Sequence, residues 1–176
     1  MKTSPIQLLL PAVLLGACTA APRPGDVPRA PVATADSIVL ERTRCYGTCP
    51  AYRVRLSADG GVAFVSRYPD EGRTGAGQIL PFDFRRLVGD ARAAGFFTLP
   101  DTIAGDAELC PAPSTDSPTV TLAVFSAAGA KTVVDDRGCG ARGATPAGRL
   151  AALRALAERV DTAAGVSRWV RVPTRR

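Results

Sequence analysis

The chain has 176 residues, of which 46% are hydrophobic and 22% are charged, and its formal net charge is +6. This length and composition fit one globular domain with short tails, and they exclude two full domains or a disordered chain. Histidine is absent, which excludes Ser-His-Asp and Cys-His catalytic sites and zinc sites that use histidine ligands.

The excess of positive charge lies outside the part of the chain that we expect to fold. Residues 36–167 contain 15 basic and 15 acidic residues, so this part is neutral. A protein that binds nucleic acid normally concentrates basic residues on its folded surface. We therefore expect no nucleic-acid partner.

Residues 1–17 have the pattern of a secretory signal peptide, in which Lys2 precedes an apolar run that ends on small residues. The run is too short to span a bilayer, which takes about 20 apolar residues. Leu15-Gly16-Ala17-Cys18 resembles the bacterial lipobox, whose cysteine becomes lipidated. We therefore predict a membrane anchor through lipid on Cys18. The alternative is an ordinary signal peptide cut nearby, with Cys18 incidental.

The segment after the predicted anchor, residues 18–36, is rich in proline and alanine and is expected to be a semi-extended spacer. By resemblance to the sorting of Gram-negative lipoproteins, Thr19 lacks the aspartate that retains such proteins at the inner membrane. The expected location is therefore the cell envelope, on the periplasmic face of the outer membrane. A single globular domain is expected over residues 37–169, and a basic tail over residues 170–176.

The first half of the domain alternates apolar and polar residues. Tyr52, Val54 and Leu56 predict one half-buried strand within residues 37–56, and Asp59-Gly60-Gly61 predicts a tight turn into a second strand over residues 62–68. The glycine-rich segment 72–77 lacks the spacing of a phosphate-binding loop and is interpreted as an ordinary loop, followed by a short strand at residues 78–80.

The rest of the domain adds two helices and a second hairpin. A helix is predicted from Pro81 to just before Gly95, and a hairpin over residues 119–135. A second helix is predicted with Thr145 as its N-cap and with Gly165 just past its end. This order predicts an α+β fold, an antiparallel sheet of about five strands with two helices packed on one face.

Four cysteines remain once Cys18 is lipidated, and an even number in an exported domain predicts two disulfide bonds. We favour the pairs Cys45 with Cys49 and Cys110 with Cys139, because each pair flanks one contiguous segment, although four cysteines allow three pairings. One alternative is a zinc site of all four cysteines, which oxidising export conditions disfavour. Another is a dithiol redox site at residues 45–49, where three residues rather than the usual two separate the cysteines.

Several stretches carry a resemblance to a known family: Cys45-Tyr46-Gly47-Thr48-Cys49-Pro50-Ala51-Tyr52, residues 95–101, Cys110, residues 115–119, residues 131–133, Gly138-Cys139 and Arg168-Trp169. Together they resemble an uncharacterised bacterial family, domain of unknown function number 6438, found in exported proteins and lipoproteins. The likeness covers about residues 38–169. It implies an exported domain of shared fold, and it transfers no catalytic role.

No residue is identified as catalytic, cofactor-binding or metal-ligating. Asp101 and Asp116 are carboxylates next to proline or serine in loops, where turn-capping explains them better than acid-base catalysis. The favoured hypothesis is an envelope lipoprotein whose non-enzymatic domain binds an envelope protein, a polymer or a small ligand. The alternative is a thiol redox factor or another envelope enzyme.

Overall fold

The computed structural model describes residues 34–171. The predicted signal peptide, the lipidation site Cys18, most of the spacer and the end of the basic tail, residues 172–176, lie outside the described residues. The elements of the described part are β1 Ala35–Arg42, β2 Ala51–Ser57, β3 Gly61–Tyr68, β4 Thr74–Gln78, α1 Pro81–Ala93, β5 Thr119–Ser126, β6 Gly129–Asp136 and α2 Ala144–Ala164.

The strands form one antiparallel sheet in the order β4-β3-β2-β1-β5-β6. The predicted α+β fold on an antiparallel sheet is confirmed, with six strands instead of about five. The difference arises before α1, because residues 37–56 contain two strands rather than one. β1 therefore lies inside the sheet between β2 and β5, with a hairpin on either side.

The fourth strand occupies most of the glycine-rich segment, so the prediction of an ordinary loop there is wrong. β4 pairs with β3, and Gly75 lies opposite Phe64. A Cβ atom on Gly75 would lie only 2.6 Å from the ring of Trp169. Glycine is needed here because an aromatic ring from the end of the domain packs on the strand, a contact that no local pattern reveals.

Helix α1 begins at Pro81, as predicted, where proline at the first position needs no hydrogen-bond partner for its nitrogen. The chain turns away at Gly95, whose φ of 68° is left-handed and suits glycine. The buried residues of α1 recur at three- and four-residue spacing and face the sheet: Phe84, Leu87, Val88 and Ala91.

Helix α2 begins at Ala144 after Gly143, and Thr145 is not its N-cap. No side chain caps this end by a hydrogen bond. The helix ends at the left-handed Gly165, as the sequence predicts. No helix within residues 34–171 is long and apolar enough to cross a membrane.

Both helices cover the same face of the sheet, as predicted. The core consists of alternate strand residues on this face and the inner faces of α1 and α2, among them Ile38, Leu40, Val54, Leu56, Phe64, Leu122, Leu153, Leu156 and Val160. On the other face, Arg53 and Arg55 are exposed and Phe125 is partly exposed. One covered face and one open face explain the alternation of the strand sequences.

Disulfide bonds join Cys45 to Cys49 and Cys110 to Cys139, which is the pairing that we favoured. The first closes the loop between β1 and β2, and the second ties the segment before β5 to the segment after β6. Cys110 and Cys139 are buried, whereas Cys45 and Cys49 are partly exposed. Because every one of these sulfurs is bonded to another, the alternative of a four-cysteine zinc site is not formed.

Candidate ligand-binding cleft

A cleft opens beside the C-terminal half of α2, where β1 ends and β2 and β5 begin. Its volume is about 560 Å³, which falls within the range of small-molecule sites. We call it the α2 cleft. It is lined by Arg42, Thr43, Cys49, Pro50, Tyr52, Pro118, Val120, Arg137, Glu158, Asp161, Thr162, Val166, Ser167 and Val170.

One side of the α2 cleft is formed by a guanidinium group between two carboxylates. Arg42, the last residue of β1, donates from Nε to Asp161 Oδ2 at 2.8 Å. Its Nη2 donates to Glu158 Oε1, also at 2.8 Å. Glu158 and Asp161 lie three residues apart on α2, so they share one face of that helix. We call these three residues the Arg42 cluster.

Burial shifts the ionisation of the groups around Arg42. It raises the pKa of Asp161 above its ordinary value of 3.8, although the charge of Arg42 acts in the opposite direction. Burial, followed by the charge of Asp161, also raises the pKa of Tyr52. Burial by itself would lower the pKa of Arg42, but Asp161 and its neighbours together raise it. Titratable groups with such shifts inside a cleft are typical of functional sites.

The end of β6 has the opposite arrangement, in which one buried carboxylate forms ion pairs with two guanidinium groups. Arg154 of α2 holds Asp135 with two hydrogen bonds, at 3.0 and 3.1 Å. Arg137, which lines the cleft, lies with Nη1 3.6 Å from the same carboxylate. We call these three residues the Asp135 cluster. The cleft therefore borders a cluster with surplus negative charge and a cluster with surplus positive charge.

The rim of the cleft includes the small disulfide loop. Cys49 and Pro50 line the opening, and the bond from Cys49 to Cys45 fixes the chain between β1 and β2. Tyr46, inside this loop, is 91% exposed. The backbone N–H of Tyr46 donates to the carbonyl of Asp116. The loop is thus connected to the segment that leads into β5.

The structure does not bring the two loop aspartates of the sequence analysis into this site. Asp101 forms an ion pair with Lys131 at the surface. Asp116 is exposed, and its left-handed φ of 63° fits a turn residue. Neither lines the α2 cleft. Among residues 34–171, no group of three or more Asp, Glu or Cys residues is placed to hold a metal ion.

Sequence reasoning missed the charged residues of the cleft. Arg42 and Asp161 are 119 positions apart, and each lies close to other charged residues, a pattern that is typical of a solvent-exposed surface. The one local sequence pattern that pointed to this site is the segment 45–52, which contains the disulfide loop and Tyr52 of the cleft.

One protein family model matches most of the described domain. The chain belongs to DUF6438, a domain of unknown function, whose model matches residues 36–164. The match extends from β1 to the last residue of α2, so DUF6438 includes both charge clusters and both disulfide bonds. No curated protein matches the chain.

Proposed function

We propose that this chain is an exported lipoprotein, anchored through Cys18 in the cell envelope, whose domain binds a small ligand in the α2 cleft. The observation that carries the binding proposal is the cleft itself. It combines apolar walls with a few converging polar groups, which is the usual composition of a ligand site. A concave site of this size fits a small ligand better than a protein or a polymer.

The location is supported by the leader and by the chemistry of the cysteines. An apolar leader ends at Leu15-Gly16-Ala17-Cys18, and a proline-rich spacer separates that cysteine from the domain. Two disulfide bonds in a domain of this size fit an oxidising compartment. Thr19 favours the outer membrane over the inner one, on its periplasmic face.

Binding is favoured over catalysis because the charged groups of the cleft are held in ion pairs. Arg42 is fixed by Asp161 and Glu158, and Arg137 lies beside Asp135. Hydroxyl groups line the cleft, but the chain has no histidine to activate them as nucleophiles. Fixed charges against apolar walls orient a ligand well.

A variant that fills the opening tests the proposal. Thr162 lies on the cleft and is exposed, so Thr162→Trp should block the site without disturbing the core. Arg85→Trp, on the exposed face of α1, is the matched control. The lipoprotein and both variants are purified from native membranes in mild detergent and examined by native mass spectrometry.

We expect a co-purifying small molecule on the parent protein and on Arg85→Trp, and its loss from Thr162→Trp. A molecule that stays bound to both variants, or the absence of any molecule from all three proteins, would contradict binding in the α2 cleft.

Thiol redox activity is the second candidate, favoured by the partial exposure of the Cys45–Cys49 bond at the cleft rim. An exposed disulfide is accessible to the dithiol of a reductase, whereas Cys110–Cys139 is buried. Equilibration with dithiothreitol buffers, read by alkylation and mass spectrometry, distinguishes the two functions. A redox factor requires reversible reduction of Cys45–Cys49 alone at potentials near those of catalytic dithiols.

A further inference from the structure

The charges of the α2 cleft are unequal on its two sides. In the Arg42 cluster two carboxylates share one guanidinium group, which leaves a surplus of one negative charge. In the Asp135 cluster two guanidinium groups share one carboxylate, which leaves a surplus of one positive charge. A ligand with one charge would satisfy only one of these sides. A ligand with a cation at one end and an anion at the other would satisfy both.

The strand register sets the separation of the two strand residues, Arg42 and Asp135, on which the clusters are built. Arg42 of β1 lies opposite Val120 of β5, and Val120 lies opposite Asp135 of β6. The three residues form one row across the sheet, and two steps between neighbouring strands span roughly 10 Å. Three residues of extended chain also span roughly 10 Å. The backbones that carry the two clusters are therefore about as far apart as the two ends of a short peptide, a span that exceeds the distance between the charges of a single amino acid.

The surface between the charged ends is apolar. Val120 lies in the middle of the row, and Pro118, Val166 and Val170 also line the cleft. A volume of about 560 Å³ is large enough for a few residues of peptide. The walls would therefore accept small apolar side chains between the termini.

Each cluster also contains one buried polar atom whose hydrogen bonding is incomplete. Asp161 Oδ1 and Arg137 Nη1 are buried and form no hydrogen bond of good geometry among the described residues. The Asp161 carboxyl group lies beside the Tyr52 hydroxyl, and Arg137 Nη1 lies 3.6 Å from Asp135 Oδ2. A buried polar atom without a partner costs free energy, which a ligand recovers by supplying the missing group. The ammonium group of a ligand can donate to Asp161 Oδ1, and its carboxylate can accept from Arg137 Nη1 at a shorter distance than the 3.6 Å to Asp135.

From these observations we propose that the α2 cleft binds a short peptide with free termini. Its ammonium group lies at the Arg42 cluster, its carboxylate lies at Arg137, and its small apolar side chains lie over Val120. This inference rests on the proposed function, since it names the ligand class of the same cleft.

The test uses the tripeptide Ala-Val-Ala in four forms: free at both ends, acetylated at the amino end, amidated at the carboxyl end, and capped at both ends. Binding to the full-length lipoprotein in detergent is measured by calorimetry. Hydrogen exchange locates the site at residues 42–52 and 158–170. We expect the free form to bind at the cleft and each cap to weaken binding by about tenfold or more, since each removes a charged hydrogen bond.

Two variants assign the ends. Glu158 is exposed, so Glu158→Gln keeps the fold and should narrow the affinity difference between the free and the acetylated peptide only. Arg137→Gln should reduce only the difference in affinity between the free and the amidated peptide. Asp101→Asn and Arg92→Gln, both outside the cleft, are the matched controls and should leave all four affinities unchanged.

The inference is overturned if a capped form binds as tightly as the free peptide, or if the free peptide does not protect the cleft. If a capped form protects the cleft, the proposed function as a ligand-binding domain is retained. The ligand class is then not a peptide with free termini. If no peptide form binds, the native mass spectra of Thr162→Trp show whether the cleft holds another kind of small molecule.

Discussion

At the scale of single residues, Asp161 links the stability of the domain to pH. Its carboxyl group is largely buried against Arg42, and burial is the largest cause of its raised pKa. The folded state therefore holds the proton more tightly than the unfolded state does. This contribution to stability is complete when the pH lies below 3.8, the pKa of the carboxyl group in the unfolded state. It is lost as the pH rises through the pKa of the folded state.

The first prediction is that Asp161→Asn removes this pH dependence. Asparagine carries no titrating proton, so the unfolding free energy of the parent, relative to the variant, should fall as the pH rises from 4 to 7. Urea unfolding at several pH values measures the difference. Asp101→Asn is the control, because this exposed carboxyl group lies outside the cluster. If the unfolding free energy of the parent minus that of the variant rises with pH, the charge of Arg42 changes the pKa of Asp161 more than burial does.

A second residue-scale prediction concerns Gly75 in β4. A Cβ at this position would lie 2.6 Å from the indole ring of Trp169, and that ring stacks on Phe64 at 5.2 Å between centroids. Gly75→Ala should displace the ring and cost about 1–3 kcal/mol of unfolding free energy, as overpacking does. The chain has one tryptophan, so its fluorescence should shift to longer wavelength.

Gly89 provides the matched control for this substitution. It lies on the exposed face of α1, and a Cβ there would meet nothing within 4 Å. Gly89→Ala should leave the fluorescence unchanged and raise stability by about 0.5–1 kcal/mol, because alanine favours helix more than glycine. Equal effects of the two substitutions would contradict the close packing of Trp169 on β4.

At the scale of elements, the two disulfide bonds close loops of very different length. Cys110 and Cys139 are 29 positions apart and join the segments that flank the β5–β6 hairpin. Cys45 and Cys49 are 4 positions apart and close only the turn from β1 to β2. In the chain-entropy model the longer loop contributes roughly 3.5 kcal/mol and the shorter roughly 2 kcal/mol.

The third prediction follows from this difference. Replacing Cys110 and Cys139 by serine should lower the unfolding free energy by at least 1 kcal/mol more than replacing Cys45 and Cys49, since the buried pair also leaves two serine hydroxyls in the core. Urea unfolding of the two double variants measures both losses. Equal losses would mean that the short bond stabilises the register of β1 and β2 beyond its loop entropy.

The helices and strands also show where local sequence patterns are sufficient to predict secondary structure. Helix α1 was predicted from Pro81 and its apolar spacing because both signals lie within the helix itself. Strand β4 was missed because its glycines make room for Trp169, which lies far along the chain. Residues 37–56 were predicted to contain one strand instead of two, because β1 has the continuous apolar run 38–40, whereas β2 has the alternating pattern that predicts a half-buried strand.

At the scale of the whole molecule, the fourth prediction concerns the anchor. If Cys18 is lipidated, the parent protein should partition into the detergent phase, and two or more acyl chains should hold it there stably. Cys18→Ser should move most of the protein to the aqueous phase. Cys49→Ser is the control, since it removes a cysteine of the domain and should leave partitioning unchanged. A Cys18→Ser protein that stays in the detergent phase would contradict lipid anchoring.

The sequence by itself determined the α+β class, the hairpins, the helices and the expectation of oxidised cysteines, because periodicity, turn residues and cysteine parity are local or compositional properties. Only the tertiary structure decided that Arg42, at the end of β1, meets Asp161, which lies 119 positions later on α2. It also placed Asp135 one strand beyond Val120, and so set a negative and a positive cluster on one cleft. The physical reason is that ion pairs between distant segments depend on strand order and helix placement, which no single segment encodes.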